Sequence, residues 1–146
     1  MPHDFKIQRR VEFSETDMAG IMHYSNFFRF METAEHAFYR SLGYSVVMAH
    51  FDPPLGWPRV HAECDYFKPL HFEDLVEVHL LVKEKKSKSL TYVLRFYRLN
   101  GTREEVARGL LTVVCVTHQD GAMRSTEMPH ELAAKIEVAP ADLLGG

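Results

Sequence analysis

Cysteine is scarce in this sequence. There are two, Cys64 and Cys115, far apart and each inside a strand-like apolar run. No CxxC spacing exists, which argues against a zinc or redox motif and for buried reduced thiols. Long hydrophobic runs are missing as well. No stretch approaches the roughly 20 residues that cross a bilayer, and the N-terminus lacks the apolar core of a signal peptide, so a cytoplasmic protein is expected. Positive charge is not in excess: 17 Lys and Arg stand against 20 Asp and Glu, a formal net charge of −3. That balance gives no footprint of non-specific nucleic-acid binding, and no nucleic-acid or membrane partner is expected. Nine histidines are present, but none forms an HxH or HxxxH pair. His23, His36, His61 and His79 share no local geometry, so no metal site is expected. Internal repeats and low-complexity segments are absent too.

The remainder is ordinary for a globular protein. At 146 residues and 46% hydrophobic composition, the chain suffices for one domain, 1–146, with a real core. Phe5, Ile7, Val11 and Phe13 alternate with polar residues, the pattern of a half-buried strand. From Ser25 to about Leu42 the period becomes helical. Phe27, Phe30, Met31, Ala34, Phe38 and Leu42 share one face, while Arg29, Glu32, His36 and Arg40 fall mostly outside it. Ser25 or Asn26 suits the start of this helix and Gly43 its end.

Residues 44–57, with Pro53, Pro54 and Gly56, read as a loop. Strands follow in series. Val60, Ala62, Cys64 and Tyr66 form one face of the first, and Val76–Val82 alternates likewise. A polar turn at Lys85–Lys88 leads into Leu90–Leu99, and Asn100-Gly101 signals a hairpin. Val106–Val116 is nearly continuously apolar from Gly109, as for a central strand covered on both faces. Met128–Val138 reads as a short closing helix. A strongly apolar helix followed by a meander of long strands is an α+β arrangement, a curled sheet around one long central helix.

The segment Asp17–Phe27 carries the chemistry. A carboxylate precedes a glycine turn, and the turn leads into the helix. Helix starts leave N–H groups unpartnered and carry partial positive charge. A carbonyl oxygen gaining negative charge is stabilised there. A carboxylate beside it can attack the carbonyl or activate water. The segment therefore reads as a candidate acyl-transfer site with Asp17 at its centre. Glu15, two residues earlier, reads as a solvated carboxylate.

Val11-Glu-Phe-Ser-Glu-Thr-Asp17-Met-Ala-Gly20-Ile-Met-His23-Tyr24-Ser-Asn26-Phe27 resembles the signature of the 4-hydroxybenzoyl-CoA thioesterase family, whose fold is the hotdog fold. The resemblance continues through Gly56-Trp-Pro58-Arg-Val60 and Tyr66-Phe-Lys-Pro69-Leu-His-Phe-Glu-Asp74, and runs from about residue 5 to about residue 118. It implies that Asp17 is the catalytic carboxylate and that Gly20 lets the chain turn into the helix. Tyr24 falls where one subgroup has Tyr and another a site histidine. His23 stands where an aromatic is usual. This favours the aspartate-plus-Tyr subgroup typified by the aromatic acyl-CoA enzyme.

The resemblance implies an acyl-CoA thioesterase for an aromatic or medium-chain acyl group. Asp17 is nucleophile or general base, and the Tyr24 N–H stabilises the oxyanion. His23 and His61 are candidate pocket residues. Lys86 and Lys88, in a basic turn, are candidates for the CoA phosphates. No cofactor is implied, because CoA is part of the substrate. Self-association as a homodimer or homotetramer is expected. A non-catalytic acyl-CoA-binding module on the same fold is the alternative. A hotdog dehydratase needs a histidine in a different motif, which the sequence lacks.

Overall fold

Strand and helix fall where the hydrophobic period changes. The computed structural model describes residues 2–145. Strand β1 spans Asp4–Arg10 and helix α1 Ser25–Ser41. Strands β2, Arg59–Tyr66, β3, Leu75–Lys85, β4, Ser89–Arg98, and β5, Glu104–Val114, follow. They form one antiparallel sheet in the order β1-β3-β4-β5-β2. A hairpin of β6, Val116–Gln119, and β7, Ala122–Ser125, and two one-turn helices, α2, His130–Ala133, and α3, Ala141–Leu144, complete the chain. Among the described residues no helix is long and apolar enough to cross a membrane.

Helix α1 buries Phe27, Phe30, Met31, Ala34 and Phe38, the expected face, against the inner side of the sheet. That side is built by Val76, Val78, Leu80 and Val82 of β3, Leu90, Tyr92, Leu94 and Phe96 of β4, and Leu111 and Val113 of β5. The sheet and helix form the hotdog arrangement expected from the resemblance. Gly109 lets the two layers meet. A Cβ there would lie 2.3 Å from the Met31 Cε.

Several local expectations are corrected. β1 ends at Arg10, and Phe13 lies outside it, 75% exposed and edge-on to Phe72. β5 lies between β4 and β2, but only its inner face is covered; Leu110, Thr112 and Val114 are half-exposed on the other. The apolar run also breaks at Cys115, beyond which β6 turns into its own hairpin. The closing helix is one turn, α2, after which Ile136 is inserted in the core and Ala139 donates to the Val82 carbonyl. On β2, the register against β5 shifts between Arg59 and His61. The bulge puts Arg59 opposite Val113, on the inner side, and takes exposed Val60 off the face expected for it.

Turned inward, Arg59 meets Glu35 of α1. The Arg59 guanidinium donates to Glu35 Oε1, while Oε2 has no partner and the side chain is fully buried. Nearby, the buried hydroxyls of Tyr39 and Tyr92 share a 2.9 Å hydrogen bond, and Tyr39 stacks on Trp57. Burial outweighs the attraction of Arg59 and pushes the Glu35 carboxyl up to about 7 from 4.5.

Two predictions follow from this core. Gly109→Ala should destabilise the fold by about 1–3 kcal/mol, the cost of overpacking. In denaturant unfolding, the double variant with Met31→Ala should lose less than the sum of the single losses. For Glu35, the folded chain holds a proton that the unfolded chain releases, so this group's stabilisation is complete below about pH 4.5 and is lost as pH rises through about 7. Urea midpoints measured from pH 5 to 8 should fall for wild type and be flatter for Glu35→Gln.

Candidate functional site

The chain between β1 and α1 is a tethered loop. Phe13–Glu15 makes a short 3₁₀ turn, and Thr16 and Met22 then face each other in an antiparallel bridge. The Asp17 N–H donates to the Ile21 carbonyl at 3.0 Å, and the Gly20 N–H donates back to the Asp17 carbonyl at 2.9 Å. Gly20 has φ +82, a left-handed conformation in which a side chain is strained; no atom crowds its Cβ position, so the need for glycine is conformational. Asp17 Oδ1 accepts the Ala19 N–H at 2.9 Å. Its Oδ2 has no hydrogen-bond partner among the described residues.

Glu15 is not solvated. It is 9% exposed, with Oε2 2.7 Å from Arg9 Nη2 and Oε1 accepting the Glu12 N–H at 2.8 Å. Its carbonyl accepts both the His23 N–H, at 2.9 Å, and the Asn26 side-chain amide, at 2.8 Å. Asn26 therefore braces the loop from inside, where Ser25 or Asn26 had been expected to cap the helix. Tyr24 occupies the cap position without a side-chain cap bond. His23 performs that task from outside the helix: its Nδ1 accepts the Ser25 N–H at 3.3 Å and lies 2.8 Å from Ser25 Oγ. The Asn26 and Phe27 N–H groups donate to the His23 and Tyr24 carbonyls. The Tyr24 N–H is left without a partner among the described residues.

Asp17 and Tyr24 line one open cleft of about 440 Å³, together with Ile21, Met22, Phe27, Tyr66, Phe67, Lys68 and Pro69. The second wall, Tyr66–Pro69, is the end of β2 and the bend after it. The sequence marks that segment by an aromatic pair before Pro69, but nothing in its spacing says that it faces Asp17. Tyr66 packs edge-on against Phe27 at 5.0 Å, and its hydroxyl donates to the Tyr24 carbonyl at 3.3 Å. Desolvation, and then the neighbouring Cys64 thiol, push the Tyr66 phenol up to about 12. It stays protonated at neutral pH and acts there as a donor. Burial likewise pushes the Cys64 thiol up to about 12 and the Cys115 thiol up to about 11, so neither supplies a ready thiolate.

The other candidates are scattered in one protomer. His23 stacks on the Tyr24 ring at 4.5 Å. His61, on the exposed edge strand β2, lies 2.7 Å from Glu63 Oε1 and outside the cleft. Lys86 and Lys88 are exposed in the β3–β4 turn, and Lys86 pairs with Glu84 at 3.4 Å. That turn shares an end of the sheet with Arg59, while the cleft is at the Tyr66 end. The seven residues of β4 from Leu90 to Phe96 separate the ends by roughly 20 Å.

The chain resembles known proteins over most of its length. The profile of the Thioesterase-like superfamily matches residues 11–136. A protein of Aquifex aeolicus (strain VF5) named as an esterase is 41% identical over 88 residues, 60% of this chain and 68% of its own length. The 1,4-dihydroxy-2-naphthoyl-CoA hydrolase of Gloeothece citriformis (strain PCC 7424) is 27% identical over 108 residues, 74% of this chain and 76% of its own. Among solved structures, the 4-hydroxybenzoyl-CoA thioesterase from Pseudomonas sp. strain CBS-3 shares the fold, with a TM-score of 0.80 and 22% identity over 91% of this chain and 99% of its own. With most of its length matched by the family profile, the chain belongs to the thioesterase-like superfamily, and it is a thioester hydrolase.

Proposed function

We propose that this enzyme hydrolyses an aryl-CoA thioester, with Asp17 as the catalytic residue. The observation that carries this is the meeting, in the lining of one cleft, of Asp17 and Tyr24; among the described residues, one oxygen of the first and the helix-start N–H of the second have no partner. The thioester oxygen accepts the Tyr24 N–H, which stabilises the charge that grows there. Asp17 either attacks the carbonyl carbon, expelling CoA thiolate and leaving a mixed anhydride that water cleaves, or removes a proton from the attacking water. Thiolate is a good leaving group, so no strong acid is needed opposite it. No cofactor enters this scheme. The aromatic walls, Tyr24, Phe27, Tyr66 and Phe67, favour a flat acyl group over a medium-length aliphatic one. The relatives named for hydroxyaryl thioesters support the same choice.

The active unit in this proposal is at least a dimer. Strand β2 is a sheet edge whose residues are exposed, apart from half-buried Cys64. Such an edge is open to strand pairing. Antiparallel pairing of two β2 strands about a two-fold axis reverses the ends of the sheet. It brings the partner's Lys86 and the partner's Lys88 to the end where Asp17 lies, within reach of the nucleotide of a substrate held in this cleft. His61 then belongs to the pairing edge.

Asp17→Asn tests the chemistry. Asn keeps the acceptor for the Ala19 N–H, so folding and substrate binding should persist, while turnover of aryl-CoA falls at least roughly 100-fold. Near-wild-type turnover in a folded Asp17→Asn sample overturns the assignment. Binding without hydrolysis by wild type would instead identify a binding module. For the assembly, light scattering on an active sample should give a mass of two or four chains. Replacing Lys86 and Lys88 together by Ala should raise KM for CoA thioesters more than for pantetheine thioesters, with little change in kcat. A one-chain mass, or equal kinetics on both substrates, refutes this arrangement.

A further inference from the structure

The cleft beside Asp17 holds one cation. Its remaining lining is aliphatic or aromatic, apart from Asp17 itself. The cation is Lys68, directly beyond β2 and before Pro69. Its backbone is held in place, because the N–H groups of Phe67 and Lys68 both donate to the Val106 carbonyl, at 2.8 and 3.1 Å. Leu70 beyond it is buried, and its carbonyl accepts the Met22 N–H at 2.7 Å. The Lys68 segment is thereby tied to the Asp17 loop. The Lys68 ammonium pairs with no carboxylate among the described residues. The fold spends nothing on it, yet places it in the wall of the site.

A solvated ammonium costs little in an open cleft. Once an aryl group fills the cleft and displaces water, the cation is stabilised by facing an anion, and the interaction strengthens as the local dielectric falls. The one carboxylate among the residues lining that cleft, Asp17, is engaged in the proposed chemistry. The substrate must then supply the counter-charge. CoA carries its phosphates at the far end of the pantetheine arm, remote from the thioester carbon that Asp17 attacks. A group lying in the same cleft as Asp17 is part of the acyl moiety.

We infer that Lys68 is a specificity-determining residue that pairs with an acidic substituent, a carboxylate or an ionised phenol, on the acyl ring of the substrate. The inference rests on the aryl-CoA hydrolysis proposed above. The pairing offsets the repulsion that Asp17 exerts on an anionic acyl group. It also fixes the rotation of the ring within the cleft, which a purely apolar lining leaves free.

The test uses four thioesters: benzoyl and 4-carboxybenzoyl, each on CoA and on pantetheine. In wild type the ratio of kcat/KM, carboxylated over unsubstituted, should exceed one on both carriers. In Lys68→Gln that ratio should fall about tenfold or more, equally on CoA and pantetheine, and Lys68→Arg should restore most of it. A loss that is the same for both rings, and that appears on CoA but not on pantetheine, assigns Lys68 to the phosphates and overturns the inference. An equal loss on all four substrates makes it structural and overturns it too. If wild type cleaves none of the four, the hydrolysis reading itself fails, a result separate from either outcome.

Discussion

One carbonyl oxygen holds the site together. The Glu15 carbonyl accepts a backbone N–H from His23 and a side-chain amide from the buried Asn26. Those two bonds join the Asp17 loop to the start of α1. The Glu15 side chain secures the same point from below, through Arg9 and the Glu12 N–H, and Arg9 itself rests 3.9 Å over the Phe30 ring. With loop and helix braced in this way, the accounting of N–H groups at the helix start leaves Tyr24 over. Its neighbours are consumed by the His23 ring and by carbonyls. The unsatisfied donor is thus a product of local bonding geometry, and its residue shares a cleft with a carboxylate. Such preorganised donors stabilise a developing oxyanion most effectively.

The parts of this arrangement that were legible in the sequence are those written in local periodicity. The α1 face from Phe27 to Phe38, the alternating strands and the Asp17–Gly20 turn each reflect contacts or dihedral demands within a few residues. The parts that were not legible depend on partners supplied from elsewhere in the chain. Glu15 looked solvated because its partner, Arg9, lies on a different element. The second wall of the cleft, Tyr66–Pro69, comes from about forty residues further along. The apolar run through Val116 concealed a break, since Cys115 and Val116 satisfy hydrogen bonds to Lys88 and Gly56 instead of continuing β5. The closing helix stops after one turn: Leu132 within it and Ile136 beyond it both enter the core, and Ala139 then donates to the Val82 carbonyl.

The interior is less uniformly apolar than the helical pattern implies. Glu35 lies on the buried side of α1, and the Tyr39–Tyr92 hydroxyl pair sits near it. An ion pair with one partner fully buried is weak evidence of stability, because desolvation of that partner offsets much of the Coulombic gain. Here the imbalance is visible in the raised Glu35 carboxyl and in its unbonded oxygen. What the pair does supply is direction. It ties the middle of α1 to the start of β2 with a geometry that an aliphatic contact would leave loose.

The bulge at Val60 makes that direction possible, and it gives the strand an unusual sensitivity. Regular pairing carried through Val60 would set Val60 opposite Val113 and turn Arg59 to the other face of the sheet. Glu35 would then remain in the core without the guanidinium that now donates to it. The irregular register is what keeps a charge, and not Val60, against α1.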